Sequence, residues 1–237
     1  MYRIIEIVLA VMLLISGGIV ICWPHIRGAE LEKASSQAVD TFIDALYIPD
    51  TPENADIHRE NEELYKAMQN YNRQIYEEHQ SELKDPWSYE TQAVSLSDYG
   101  IEDGVIGVIN IESLDLEMPI YFGASNENMA KGAAVLGQTS LPTGDKNCNC
   151  VIAGHRGWSG APYFRYIDQL QEGDEVLITN LWETMSYTVS EIKVIEPNDI
   201  KEIFIRDGKD MITLLTCHPY ASGGRYRYLV FCERTEE

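Results

Sequence analysis

A thiol attacks a carbonyl efficiently only as its thiolate. A reactive cysteine therefore needs an imidazole to take its proton and a cation or N–H group to hold the negative charge that develops on oxygen. The chain has five cysteines, Cys22, Cys148, Cys150, Cys217 and Cys232. The odd count in a chain of this size leaves at least one thiol unpaired. Cys148 and Cys150 are one residue apart, a spacing that suits neither a C-x2-C metal pair nor a disulfide between them. Cys217 ends the apolar run TLLTC. A side chain at the end of a strand can face a groove while the ladder fixes its backbone.

Of the five histidines, His25 adjoins an apolar run, and His58 and His79 fall in helical sequence with solvated or packing roles. His218 follows Cys217 directly, and adjacent strand residues point to opposite faces, so it is poorly placed as the partner of the thiol. His155, in AGHRG, is free of that objection, and its flanking glycines allow close approach of backbone or substrate. Arg227 lies in RYRYLVF and offers a planar fork for a carbonyl oxygen or a substrate backbone; Arg225 has the same strand parity. Nothing in this chemistry requires a cofactor or a metal.

The elements that must position these groups come in two textures. After Asp103 the sequence breaks into short β-rich runs separated by Gly, Pro, Asn and Asp. Eight runs begin near Gly104, Leu116, Ala133, Cys150, Glu175, Met185, Met211 and Arg225, enough to close a small barrel. Before them, residues 29–47 and about 56–83 carry apolar side chains at helical spacing, which predicts two amphipathic helices packed on the domain. Ile7 to Trp23 is uncharged and, at 1.5 Å per residue, covers about 26 Å, the lower limit for spanning a hydrocarbon core of about 30 Å. No small-x-small cleavage site follows it, so it is expected to stay as an anchor rather than be removed. Arg3 before it and Arg27 and Lys33 after it barely bias the orientation. The chain holds 18 Lys and Arg against 38 Asp and Glu, a formal charge of −20 that disfavours nucleic acid as a partner.

Taken together, three segments resemble the sortase family: TLLTC fits the signature T-L-x-T-C, AGHRG fits the histidine segment, and RYRYLVFCER is similar to the strand bearing the family's arginine. The resemblance implies a mainly β fold, an eight-stranded sortase-type barrel, with Cys217 as nucleophile, His155 as general acid/base and Arg227 as the oxyanion or substrate-orienting residue. Thr216 would line the substrate groove. Asp85, Pro86 and Trp87 resemble the lid of class C, pilus-assembly sortases. The implied organisation is an anchor over 1–25, a helical region over 26–83, lid and linker over 84–103, and the catalytic barrel over 104–237.

The implied reaction is cleavage of an LPxTG-like sorting signal between Thr and Gly through a cysteine thioester, followed by transfer to an amine, a pilin lysine in pilus polymerisation. Its alternatives are attachment of surface proteins to peptidoglycan peptides and, in another class, an inactive membrane-tethered scaffold. The implied partners are sorting-signal-bearing surface proteins or pilins and the acceptor amine. The implied place is the outer face of a Gram-positive cell membrane, held by the single amino-terminal helix. SLPTG at 140–144 lacks one residue of L-P-x-T-G and reads as a turn.

Overall fold

The computed structural model describes residues 2–47, 49, 51, 55–80, 83 and 94–235. Asp85, Pro86 and Trp87 lie outside the described residues.

Alternating apolar residues and turn-forming breaks give eight strands: β1 (Val105–Ile111), β2 (Leu116–Phe122), β3 (Ala133–Val135), β4 (Cys148–Ala153), β5 (Glu175–Thr179), β6 (Thr184–Ile195), β7 (Asp210–His218) and β8 (Tyr226–Arg234). They close a barrel in the order β1-β2-β3-β4-β7-β8-β6-β5. Most neighbours are antiparallel, but β4 and β7 run parallel, from Cys148↔Asp210 to Ala153↔Leu215. Their carboxyl ends therefore emerge together.

Strand parity sorts the apolar side chains into two clusters. One draws on every strand, including Ile109, Ile120, Val135, Ile152, Ile178, Tyr187, Leu214 and Val230, and fills the barrel. The other uses the opposite parity of β4, β7 and β8 (Val151, Ala153, Met211, Leu215, Leu229, Phe231) and lies on the outer face with Val39 and Phe42.

Among the described residues, two α-helices precede the barrel, α1 (Tyr2–Leu46) and α2 (Ala55–Glu77). The apolar run and the first amphipathic stretch are thus one continuous helix that passes through Pro24. The second helix stops short of residue 83, because His79 and Gln80 adopt positive φ. The carboxyl half of α1 packs on β1 and β2, while α2 contributes Leu64 and Met68 to the inner cluster. Asn72 of α2 is buried. It donates to Leu141 O (2.9 Å) and Thr143 Oγ1 (2.8 Å) and accepts from Leu141 N (2.7 Å). Ser140 and Thr143 are buried too, so SLPTG is part of the packing under α2.

Candidate active site

The site forms where the parallel strands β4 and β7 end, with β8 alongside. Extending the β4–β7 register by two residues past Ala153↔Leu215 sets His155 opposite Cys217. On the other flank Cys217 pairs directly with Arg227. All three share the parity of Ala153, Leu215 and Leu229, so their side chains stand on the outer face of the sheet. A methyl group built on Gly224 would lie 3.3 Å from Cys217 Sγ and 3.1 Å from Arg227 Nη1. The thiol and the guanidinium therefore border the same small space. Arg225, the other arginine of matching parity, is exposed and precedes β8.

Each member is held by its own backbone. Gly154 N donates to Leu215 O (3.0 Å), which continues the β4–β7 ladder up to the residue before His155. The His155 carbonyl accepts from Gly157 N (2.9 Å) and Phe164 N (3.0 Å). Gly154 is required there, because a Cβ would come within 2.5 Å of the Phe164 ring. The His155 imidazole stacks on Trp158 at 4.5 Å between ring centres, 14° from parallel. Burial lowers the His155 pKa below its ordinary 6.5 and so favours the neutral ring. Arg227 Nη1 donates to Gly224 O (2.6 Å) and Tyr226 O (3.2 Å), which fixes the fork beside the sulfur. Thr216, expected along the groove, is buried, and its hydroxyl donates to Gly154 O at 2.7 Å. That bond ties the last turn of β7 to the approach of His155.

The residues of opposite parity build a second arrangement. Arg156 is buried, meets His218 Nδ1 at 2.7 Å, pairs with Asp168, and lies 5.8 Å from the centre of the Tyr228 ring. His218 is thus engaged on the side away from Cys217. Sequence reasoning had set His218 aside on parity but had not found Arg156, Asp168 or Trp158. Only the position of Arg156 beside His155 hinted at it, since Asp168 and Tyr228 arrive from distant segments.

The other thiols differ in kind. Cys148, Cys150 and Cys232 are buried, whereas Cys217 is half-exposed. Burial pushes the Cys148 thiol up to about 12 and raises Cys150 well above its ordinary value. Among the described residues no group of three His, Cys, Asp or Glu side chains is arranged to hold a metal ion.

The family described as Sortase domain matches residues 109–235. Bacillus subtilis Sortase D is 25% identical over 130 residues, 54% of this chain and 63% of that protein. The crystal structure of Streptococcus pneumoniae Sortase C, reported with insights into pilin substrate specificity, is 29% identical with a TM-score of 0.71, covering 85% of this chain and 97% of that one. Clostridium perfringens sortase C with the C-terminal cell wall sorting motif is 33% identical with a TM-score of 0.66, covering 85% and 99%.

Proposed function

The chain belongs to the sortase family of cysteine transpeptidases, and from that premise we propose that it is a pilus-assembly enzyme that joins a sorting signal to a pilin lysine. The observation that carries this reading is the register that lines up His155, Cys217 and Arg227 across three adjacent strand ends. The likeness to class C structures over nearly their whole length supports the pilus assignment.

The reaction runs in two acyl transfers. Cys217 thiolate adds to the Thr carbonyl carbon of an LPxTG-like signal, and Arg227 donates to the oxyanion formed. Collapse breaks the Thr–Gly C–N bond, the glycine amine leaves with the proton of His155 imidazolium, and a thioester remains. The acceptor amine then attacks the thioester carbonyl. Neutral His155 takes its proton, an amide forms, and Cys217 leaves as thiolate. Because burial favours neutral His155, few unliganded molecules hold the thiolate–imidazolium pair, and turnover is expected to be slow.

The amino-terminal part of α1 is a candidate membrane span. We place the barrel on the outer face of a Gram-positive cell, where sorting signals and acceptor amines are available.

The test is mass spectrometry of the full chain incubated with an LPxTG peptide. A thioester adduct on Cys217, released by a lysine-bearing pilin segment as a new amide, is expected. Release as free acid with every amine offered would make the protein a hydrolase, and an adduct that persists in Cys217→Ala would remove the nucleophile assignment.

A further inference from the structure

The orientation of the barrel on α1 has a consequence for where catalysis happens. The apolar run ends at Trp23. One residue later the helix backbone touches the loop that follows His155: a Cβ on Gly160 would lie 2.0 Å from Pro24 O, and one on Gly28 would lie 2.6 Å from the Gly160 carbonyl carbon. Only glycine at both positions permits this approach, and Gly160 also has φ +96°. From there α1 runs along the outside of β1 and β2 for about 33 Å, at 1.5 Å per residue, to Leu46. Its far end borders a cavity with Leu181 and Trp182 at the β5–β6 turn. By strand direction that turn is at the end of the barrel opposite Cys217. The catalytic end is therefore the end of the barrel next to the apolar run of α1.

The surface there has the chemistry of an interfacial belt. Among the described residues beyond α1, the exposed large hydrophobics are Tyr47, Ile57, Trp158, Tyr166, Val194 and Tyr220. All but Tyr47 and Ile57 lie at the catalytic end, on the loop after His155, on the short helix beyond it, at the end of β6 beside Arg227, and in the loop after Cys217. Arg165 sits 4.6 Å from the Tyr220 ring centre and 5.5 Å from that of Tyr166. The Trp158 loop is pinned by Trp158 N to Ala161 O (2.9 Å) and Ala161 N to Trp158 O (2.8 Å). Aromatic rings with polar tips around a cation favour the headgroup level of a bilayer. The net charge of −20 would otherwise hold the domain off an anionic surface.

We propose that Trp158, Tyr166 and Tyr220, around Arg165, form a collar that docks the catalytic end of the barrel on the lipid surface, so that the Cys217 groove opens at headgroup depth. This rests on the reading of α1 as a membrane span. Trp158, stacked on His155, makes the docked loop also the one that sets the imidazole. A sorting signal followed by a membrane-embedded tail would meet the thiol without being drawn far from the bilayer.

The test uses the unsubstituted full chain in phosphatidylcholine/phosphatidylglycerol nanodiscs containing a lipid with a photoactivatable diazirine in its headgroup. Labelling is expected on two peptides, the one bearing Trp23 and the one spanning 158–166. In Arg165→Glu/Tyr166→Ser, labelling of 158–166 should drop about fivefold while Trp23 labelling and turnover of a short soluble sorting peptide stay as they were. Label on Trp23 with none on 158–166 overturns the docking and leaves the span standing. Label on neither overturns the span itself. Protection of 158–166 from hydrogen exchange by the soluble peptide in the absence of lipid would assign the collar to the substrate instead and equally overturn the proposal.

Discussion

Strands β4 and β7 lie side by side in parallel, and their two ends have opposite characters. At the start Cys148 pairs with Asp210, and the thiols of Cys148 and Cys150 are buried with their pKa values pushed up. At the finish, seven residues along β7 and roughly 23 Å away, Cys217 is half-exposed between a histidine and an arginine. The same residue type on the same sheet is a small hydrophobe at one end and a nucleophile at the other. Position along the strand decides this: the starting residues of β4 are buried, whereas the carboxyl ends of the parallel pair border loops that can supply charge and leave room for a peptide.

The strongest way to break this contrast is to remove one thiol from each end. Cys217→Ala should lower transpeptidation about a thousandfold or more. Cys150→Ala should keep activity within about twofold while lowering stability by about 1 kcal/mol. Maleimide labelling read by peptide mass sharpens the same point, since Cys148, Cys150 and Cys232 should react only after unfolding. Equal loss of activity in both variants would end the distinction. Next in size, His155→Gln should reduce kcat/KM about 100- to 10,000-fold. In the unsubstituted enzyme the acid limb of kcat/KM should fall below the ordinary histidine value of 6.5, because burial lowers this pKa, and the limb should vanish in the variant.

Two threonines of β7 refine the comparison further. Thr216 donates to Gly154 O and Thr213 to Asn149 Oδ1, each at 2.7 Å, and both are buried. Replacing either by Val leaves a buried acceptor without its donor, at a cost of about 1–3 kcal/mol. Only Thr216→Val disturbs the approach of His155, so it alone should also reduce kcat/KM, by about tenfold. A melting curve and a rate for each variant decide it.

Much of this was legible from residue order. The eight β-rich runs were readable, and parity within the run ending at Cys217 turned His218 away and left His155 as the candidate partner, because a two-residue repeat needs no long-range knowledge. What remained illegible came from contacts between distant segments. Pro24 lacks a donor and crowds the preceding turn, yet α1 passes through it and joins the apolar run to the first amphipathic stretch. Nothing near Gly28 announces that Gly160 will lie against it. Arg156 is adjacent to His155, but its partners His218 and Asp168 are assigned only once β4 and β7 lie side by side and the following loop folds back.

The smallest effect is expected at the inert end, where it isolates charge burial from catalysis. The Asp210 side chain is largely buried, and that burial raises its pKa from 3.8 to about 6, against the opposing bond from Tyr187 (3.1 Å). A carboxyl with a raised folded-state pKa binds its proton more tightly in the native protein. Its stabilising contribution is complete below 3.8 and is lost as pH rises through about 6. At pH 7.5 the native state therefore carries a buried charge that Arg234, 4.0 Å away and also bonded to Glu183, offsets only in part. Asp210→Asn keeps an acceptor for Tyr187 and removes that charge. It should raise stability by about 1 kcal/mol at pH 7.5 and change it little near pH 4, as read by denaturant melts at the two values. Transpeptidase activity should be unaltered. A loss of activity would mean that the two ends of β7 are coupled through the sheet, so that scaffold and site are not separable.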